Sequence, residues 1–174
     1  SIVQSSLARA EAVIRRAGGA VTATGVVIPV QAPEAPPLEQ WDAGVPIARV
    51  GVDDAAWRWQ GGWTRTVRTE VWERPARQST AVGDEASLDF EGTGVAIAGE
   101  LAQDGGRADV WLDGVLVGEI EAWIAERTYD NDLWHVTDLP PGKHTIRVVT
   151  RADADPNSKG KKIEIEHAVI YDRR

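Results

Sequence analysis

Residues 107–121 read RADVWLDGVLVGEIE, with an Asp-Gly pair between two runs of apolar and β-branched residues. Asp-Gly between such runs is the strongest short-range signal for a two-residue turn that joins antiparallel strands. The turn requires a positive φ at both central positions, and Asp and Gly tolerate it. We therefore predict a β-hairpin that turns at Asp113 and Gly114.

Further short strands, each bounded by turn residues, follow one another from about residue 45 to the end of the chain. Turn signals recur at the spacing typical of antiparallel sandwiches, and no helical period appears in this part of the sequence. The pattern predicts an all-β fold, an antiparallel β-sandwich of the jelly-roll type. The other predicted strands are 47–54, 56–59, 85–90, 94–101, 133–139, 143–150 and 161–172.

The first 44 residues have a different composition. Residues 5–17 place apolar side chains three and four positions apart, which predicts a short amphipathic α-helix. Residues 21–30 are β-branched and predict a strand. Three prolines at 33, 36 and 37 predict an extended linker, because proline lacks an amide donor. We therefore predict that residues 1–44 are the remnant of an upstream domain and that residues 45–174 form one β-sandwich module.

The overall composition excludes several kinds of site. Asp and Glu number 27 against 19 Lys and Arg, and the resulting net charge of −8 repels phosphate backbones, so no nucleic-acid partner is expected. No apolar run reaches the ~18 residues of a membrane span, so no membrane partner is expected. The chain has no cysteine, which excludes disulfides and thiolate sites, and no methionine, from which we expect a fragment of a longer protein.

Four short motifs follow one another in order along the predicted sandwich: GGWT (61–64), LDFEGTGVAIAG (88–99), ADVWLDGV (108–115) and LPPGKHTIRVV (139–149). Together they resemble the galactose-binding-like jelly-roll modules that are appended to bacterial glycoside hydrolases and esterases. The resemblance covers about residues 47–171. It implies carbohydrate binding often and catalysis rarely, with an extracellular or periplasmic location, and such modules can hold a structural calcium ion.

The front of the chain carries a second resemblance. The segments ARAEAVIRRAGGAV and IPVQAPEAPPLEQ are similar to the C-terminal end of bacterial ADP-ribosylglycohydrolase-like enzymes, which are helical hydrolases with paired metal ions. None of the acidic metal-binding motifs of those enzymes occurs in this sequence, so no catalytic residue is transferred to it. The resemblance implies an upstream catalytic domain of the same polypeptide as a partner.

Three of the eight tryptophans lie within seven residues, at positions 57, 59 and 63. Trp57 and Trp59 are two residues apart, so on a strand they share one face while Arg58 points to the other. Facing a second sheet, these indoles would anchor a core; facing water, they would form a stacking platform for sugars. We favour the core for all three tryptophans.

Residues 121–135 are the best candidate for a binding loop, because they combine aromatic rings with carboxylate, amide and guanidinium groups. A sugar needs an apolar face for its C–H surface and fixed polar partners for its hydroxyl groups. A mixed-charge segment near residue 72 offers further exposed groups. The alternative is an ordinary polar loop whose aromatic residues pack inward. The predicted ligand-binding residues are Trp72, Arg77, Trp123, Arg127, Tyr129, Asn131, Asp132 and Trp134.

The segment DADPNSKGKKIE at 153–164 resembles a calcium-binding loop of the EF-hand type. Asp153, Asp155, Asn157 and Glu164 fall on ligand positions of such a loop. However, the position that requires glycine is Ser158, lysines follow it and no flanking helices are predicted. We therefore favour a solvated hairpin loop, leave a structural calcium ion open and expect no other cofactor.

Taken together, the sequence predicts a non-catalytic carbohydrate-binding module that tethers or orients a neighbouring bacterial hydrolase domain. The alternative is a structural accessory domain that packs against the upstream catalytic domain or supplies a lid to its active site. No nucleophile motif or phosphate-binding loop stands out, so we expect no catalytic residue in this chain.

Overall fold

A computed structural model describes residues 20–22, 25–27, 44–68 and 74–173. The chain divides into two units between residues 41 and 42. In the first unit, β1 (Ala20–Thr22) pairs antiparallel with β2 (Gly25–Val27). The sequence predicted one strand over residues 21–30, whereas the described residues of this region form these two short strands. The predicted helix and the proline-rich linker lie outside the described residues.

The described part of the second unit contains eleven strands and no helix. Two of them, β5 and β6, were absent from the sequence prediction because their charged residues give no clean alternation. Within the described ranges, no helix is long and apolar enough to cross a membrane. The strands are β3 (Val45–Gly51), β4 (Trp57–Gln60), β5 (Thr64–Arg68), β6 (Arg74–Ser79), β7 (Glu85–Gly92), β8 (Gly94–Leu101), β9 (Arg107–Leu112), β10 (Val115–Glu121), β11 (Thr128–Val136), β12 (Gly142–Thr150) and β13 (Ile163–Asp172).

These strands form two antiparallel sheets. The first has the order β10-β9-β12-β7-β4, and we call it the five-stranded sheet. The second, the six-stranded sheet, has the order β11-β8-β13-β6-β5, and β3 pairs with β13 beside them. The prediction of an all-β antiparallel sandwich is therefore confirmed.

The core lies between the two sheets and is built by alternation along the strands. In β9, for example, Ala108, Val110 and Leu112 are buried, whereas the residues between them are half-buried on the outer face. In β12, Ile146 and Val148 are buried in the same way. Each fully buried aliphatic side chain contributes about 1.5–3 kcal/mol relative to exposure, so this interdigitated layer holds the sheets together.

The tryptophan cluster of residues 57, 59 and 63 forms part of this core. Trp57 and Trp63 are buried, and Trp59 is half-buried between them, with ring centroids 5.0 Å and 5.1 Å away from theirs. Arg58 points to the opposite face of the sheet and pairs with Asp89. The interpretation of this cluster as core is confirmed, because the sheet pairing directs both β4 indoles inward.

A glycine turn positions Trp63. Gly61 has a φ of +97°, and a Cβ there would lie 1.9 Å from a carboxylate oxygen of Asp84. The amide of Gly62 donates to that carboxylate at 2.8 Å, and the hydroxyl of Ser79 donates to it at 2.5 Å. Only glycine fits at position 61, since a side chain would meet the carboxylate that holds the turn.

The predicted hairpin at residues 107–121 is confirmed. Asp113 and Gly114 have φ angles of +50° and +81°, as the mirror-image turn requires, and Val115 pairs with Leu112 across it. The next connection differs from its prediction: residues 121–135 were expected to form a loop, but β11 begins at Thr128. Two register shifts in the pairing of β11 with β8 interrupt its alternation, so the sequence does not read as a strand.

Candidate functional site

Three loops meet at one end of the sandwich, and we call this group the loop end. An isolated bridge joins Ala102 to Trp123, and the amide of Gly106 donates to the carbonyl of Lys162 at 2.8 Å. Because each loop is hydrogen-bonded to another through its backbone, the side chains that they carry are held in fixed positions. The loops are residues 102–106, 122–127 and 151–162.

A buried carboxylate lies beneath the loop end. Only 2% of the Glu100 side chain is exposed, and it accepts contacts from Lys162 Nζ at 2.9 Å and Arg127 Nε at 2.6 Å. Asp104 lies 3.3 Å from the same ammonium group. Burying a carboxylate is costly unless cations compensate for the lost water, so these contacts fix both cations. The Glu100 carboxylate raises the pKa of Arg127, and a hydrogen bond to Tyr129 adds to the effect.

Above these charges, the loop end opens into a cavity of about 420 Å³ lined by Gln103, Asp104, Arg127 and Lys159. Lys159 Nζ donates to the side-chain oxygen of Gln103 at 2.7 Å, so the two groups are held in one arrangement. Tyr129, which is 36% exposed, lies beside Arg127. The cavity size is typical of small-molecule sites, and its walls offer both hydrogen-bond donors and acceptors.

The predicted ligand-binding residues divide into several groups in the structure. Arg127 and Tyr129 come together at the loop end, and Trp123 lies half-buried in the adjoining loop. Asn131 donates to the carbonyl of Gly99 at 3.2 Å, which links β11 to β8. Asp132 contacts an exposed histidine, His135, at 2.5 Å.

Two further predicted residues lie away from the loop end. Trp134 packs against the core, and its indole Nε1 would be 2.6 Å from a Cβ on Gly118, so it closes the sandwich where β11 approaches β10. Arg77 places its guanidinium 5.2 Å from the ring centroid of Trp59 and thus belongs to the tryptophan cluster. Trp72 lies outside the described residues.

The predicted calcium ligands have other partners. Arg151 donates to the Asp153 carboxylate at 2.8 and 2.9 Å and lowers its pKa. Asp155 accepts from the backbone and side-chain amides of Asn157 at 2.8 and 3.0 Å. Glu164 is buried on β13. The aspartates thus form local contacts instead of converging on one point. The segment is a loop, as favoured, but not a hairpin, because it crosses from β12 in the five-stranded sheet to β13 in the six-stranded sheet.

Among the described residues, one group has the composition of a metal site: Asp130, Glu166 and His167, with ligand atoms within 4.8 Å of one another. None of the four predicted calcium ligands belongs to it. Two arginines offset the charge of Asp130, because Arg74 donates to its carboxylate at 2.5 Å and Arg49 lies 3.5 Å from it. Arg74 lowers the pKa of Asp130, and burial lowers the pKa of His167. These contacts describe a charge network rather than a cation site.

Sequence reasoning did not find Glu100, Gln103, Asp104 or Lys159. Glu100 lies next to the end of a strand that is otherwise apolar. Gln103 and Asp104 lie in one loop and Lys159 in another, without a common spacing. The sequence contains one indirect indication of this site. The turn residues of QDGG (103–106) and NSKG (157–160) predict that Gln103, Asp104 and Lys159 lie in turns near the ends of strands. Only the adjacency of β8 and β13 in the sheet brings them together.

No family model matches the chain. Two curated proteins of Flavonifractor plautii are similar to part of it. One is an A type blood alpha-D-galactosamine galactosaminidase, 36% identical over 92 residues, covering 53% of this chain and 8% of that protein. The other is an A type blood N-acetyl-alpha-D-galactosamine deacetylase, 31% identical over 96 residues, covering 55% and 12%. The chain therefore matches only a small part of the length of either relative.

Solved structures share the fold at low sequence identity. A two-domain esterase active on acetylated mannans has a TM-score of 0.53 and 15% identity, with 72% of this chain and 36% of that chain covered. A Paenibacillus xanthan lyase has a TM-score of 0.51 and 13% identity, with 74% and 14% covered. At this identity the likeness concerns the β-sandwich alone.

Proposed function

We propose that this chain is a non-catalytic module that binds carbohydrate at the loop end. The observation that carries the proposal is the cavity there. It brings the guanidinium of Arg127, the ammonium of Lys159, the carboxylate of Asp104 and the amide of Gln103 together beside an exposed aromatic ring, Tyr129.

Sugar recognition explains why these groups occur together. A sugar hydroxyl donates and accepts hydrogen bonds, so its binding site needs fixed cations or amides next to fixed carboxylates. The contacts of Arg127 with Glu100 and of Lys159 with Gln103 hold such groups in place before a ligand arrives. Tyr129 supplies an apolar ring face for the C–H side of a sugar. The cavity is open, so we expect weak binding of one or two sugar rings.

The two curated relatives support a narrower proposal about the ligand. Both of their names refer to galactosamine, one in its free and one in its N-acetylated form. We propose amino sugars of the galactose type as the first class to test.

In this proposal, residues 45–174 act as a module that tethers or orients a neighbouring hydrolase domain on glycans outside the cytoplasm. The alternative is a structural domain that packs on, or forms a lid for, an upstream ADP-ribosylglycohydrolase-like domain. One observation favours the alternative: Val115, Leu116 and Val117 are consecutive and exposed on the edge strand β10. Exposed apolar residues on an edge strand are typical of an interaction surface.

The test is calorimetric titration with galactosamine, N-acetylgalactosamine, xylotriose and mannopentaose. We expect Tyr129→Ala to weaken binding of the preferred sugar by about tenfold, as loss of a central aromatic contact does. Tyr129→Phe keeps the ring and should retain most of the affinity. Val82→Ala, at a 58% exposed position in the turn before β7, is the control. Unchanged affinity in Tyr129→Ala, or no binding of any of the four sugars, would reject the proposal.

A further inference from the structure

The outer face of the five-stranded sheet carries a row of side chains that runs across all five strands. Trp111 on β9 pairs with Leu116 on β10 and with Arg147 on β12. Arg147 pairs in turn with Ser87 on β7, and Ser87 with Arg58 on β4. Because directly paired residues point to the same face, these five side chains lie side by side.

Trp111 is the aromatic member of this row. Its neighbours along β9, Val110 and Leu112, are buried in the core, so the indole points outward, where it is half-buried. The guanidinium of Arg147 lies 4.9 Å from the ring centroid, and Leu116 beside it is 52% exposed. The tryptophans of the core cluster pack on one another, whereas Trp111 lies among polar groups at the surface.

The polar groups around Trp111 are fixed by ion pairs. Arg147 contacts Glu85 at 3.1 Å, and Arg58 makes two hydrogen bonds to Asp89, at 2.5 and 2.9 Å. The hydroxyl of Thr145 donates to the same carboxylate at 2.8 Å. Arg58 and Thr145 together lower the pKa of Asp89 to about 2. The carboxylate therefore stays an acceptor at neutral pH, in a fixed orientation.

A cavity of about 510 Å³ adjoins the row. Its walls include Asp89, Thr145, His144 and Lys143, which belong to β7 and β12. Thr145 lies two residues from Arg147 along β12, on the same face of the sheet. The indole and the cavity thus form one continuous surface, apolar at one end and polar at the other.

We propose that this surface binds a polysaccharide chain, with one sugar ring stacked near Trp111 and a neighbouring sugar held in the cavity at Asp89 and Thr145. A carbohydrate fits this surface, because the carboxylate of Asp89 and the hydroxyl of Thr145 can pair with sugar hydroxyl groups, and the indole offers an apolar face to the C–H side of a sugar ring. The inference relies on the proposed function for the class of ligand but not for its position. It adds a second binding surface, on the outer face of the five-stranded sheet.

The experiment is a titration followed by the indole N–H signals of the ¹⁵N-labelled protein. The signal that disappears in Trp111→Phe identifies Trp111. The probes are xylohexaose, mannohexaose and a six-residue galactosamine oligosaccharide. We expect the Trp111 signal to shift with at least one hexasaccharide, and Trp111→Ala to weaken its binding by about tenfold. Val82→Ala is again the control, and the thermal unfolding midpoint confirms that each variant is folded.

The outcomes separate the two proposals. If the Trp111 signal shifts and Trp111→Ala weakens binding while Tyr129→Ala has no effect, the sheet surface is correct and the loop end is not. If Tyr129→Ala weakens binding while the Trp111 signal stays fixed at saturation, the loop end is correct and the sheet surface is rejected. Equal affinity of Trp111→Ala and the wild type also rejects the sheet surface. Absence of binding to every probe rejects both.

Discussion

The outer faces of the two sheets use the same charged residue types in opposite ways. On the five-stranded sheet the pair of Arg58 and Asp89 is open to water, with side chains that are 51% and 56% exposed. On the six-stranded sheet, carboxylates such as Glu100 and Glu166 are buried. Water screens the first kind of pair, which therefore contributes little, whereas a buried charge must keep every partner. The exposed pair on the five-stranded sheet can therefore be substituted at small cost in stability, whereas the buried carboxylates of the six-stranded sheet cannot.

The difference bears on function. Glu100 holds Arg127 and Lys162 in place from below, so the loop end presents its polar groups in one arrangement. The contacts that hold Arg58 and Asp89 on the five-stranded sheet are exposed to water, which makes them weaker. We therefore expect the loop end to select one type of sugar and the sheet surface to accept several.

The difference between buried and exposed charges is tested most strongly by replacing Lys162, one of the cations that contact the buried carboxylate of Glu100. In Lys162→Met, Glu100 loses one of the two cations that contact it, and the buried carboxylate is left incompletely compensated. We expect the free energy of unfolding to fall by about 3 kcal/mol, the low end for breaking a buried pair. Chemical denaturation measures it.

Lys161→Met is the matched control, because Lys161 precedes Lys162 and is exposed. It should change the free energy of unfolding by less than about 0.5 kcal/mol. If both lysine variants lose the same stability, burial does not distinguish the two kinds of charge and the comparison is wrong.

A smaller effect is expected at His144, near the start of β12, the central strand of the five-stranded sheet. Its Nδ1 lies 2.7 Å from the Asp113 carboxylate and its Nε2 lies 2.8 Å from the Pro140 carbonyl. Both partners are acceptors, so the protonated ring can donate from both of its nitrogens. The hydrogen bond to Asp113 raises the pKa of His144 above its usual value of 6.5, and the contact with Pro140 adds to the rise.

A raised pKa means that this contribution to stability is complete below pH 6.5 and is lost as the pH rises through the folded-state pKa. We expect a loss of about 1 kcal/mol over that interval, the typical net value of a hydrogen bond. Denaturation of the wild type and of His144→Gln across pH 5–9 measures it. The step should vanish in His144→Gln and persist in His135→Gln, whose histidine is exposed. A step that survives in His144→Gln contradicts this assignment.

The smallest effect is expected for the exposed pair of Arg58 and Asp89. A double-mutant cycle with Arg58→Ala and Asp89→Ala should give a coupling energy that is small beside the Lys162 effect, because water screens the pair. Raising the salt concentration should reduce it further. A coupling as large as the loss in Lys162→Met would show that exposed and buried pairs do not differ in this protein.

The sequence predicts those features that depend on neighbouring residues. The Asp113–Gly114 turn and the inward direction of Trp57 and Trp59 follow from turn chemistry and from the two-residue period of a strand. Glu164 falls on a ligand position of the calcium-loop pattern, but in the structure it lies on the strand β13.

The loop end could not be predicted in the same way. Asp104 and Lys159 are far apart in the sequence and meet because β8 and β13 are neighbours in the six-stranded sheet, a pairing that no local pattern specifies. The first part of β11, residues 128–132, was assigned only to a loop because its register shifts hide the alternation of its residues, whereas its end overlaps the predicted strand 133–139. Trp134 was expected to be exposed, but Gly118 on β10 leaves room for its indole to pack inward.

The most direct test of the central claim, carbohydrate binding at the loop end, is a backbone amide chemical-shift map during titration with N-acetylgalactosamine. The account predicts that the largest shifts fall in three separate stretches, residues 102–104, 126–129 and 158–160, which only the fold brings together. Shifts confined to other parts of the molecule, or no shifts at saturating sugar, would contradict it.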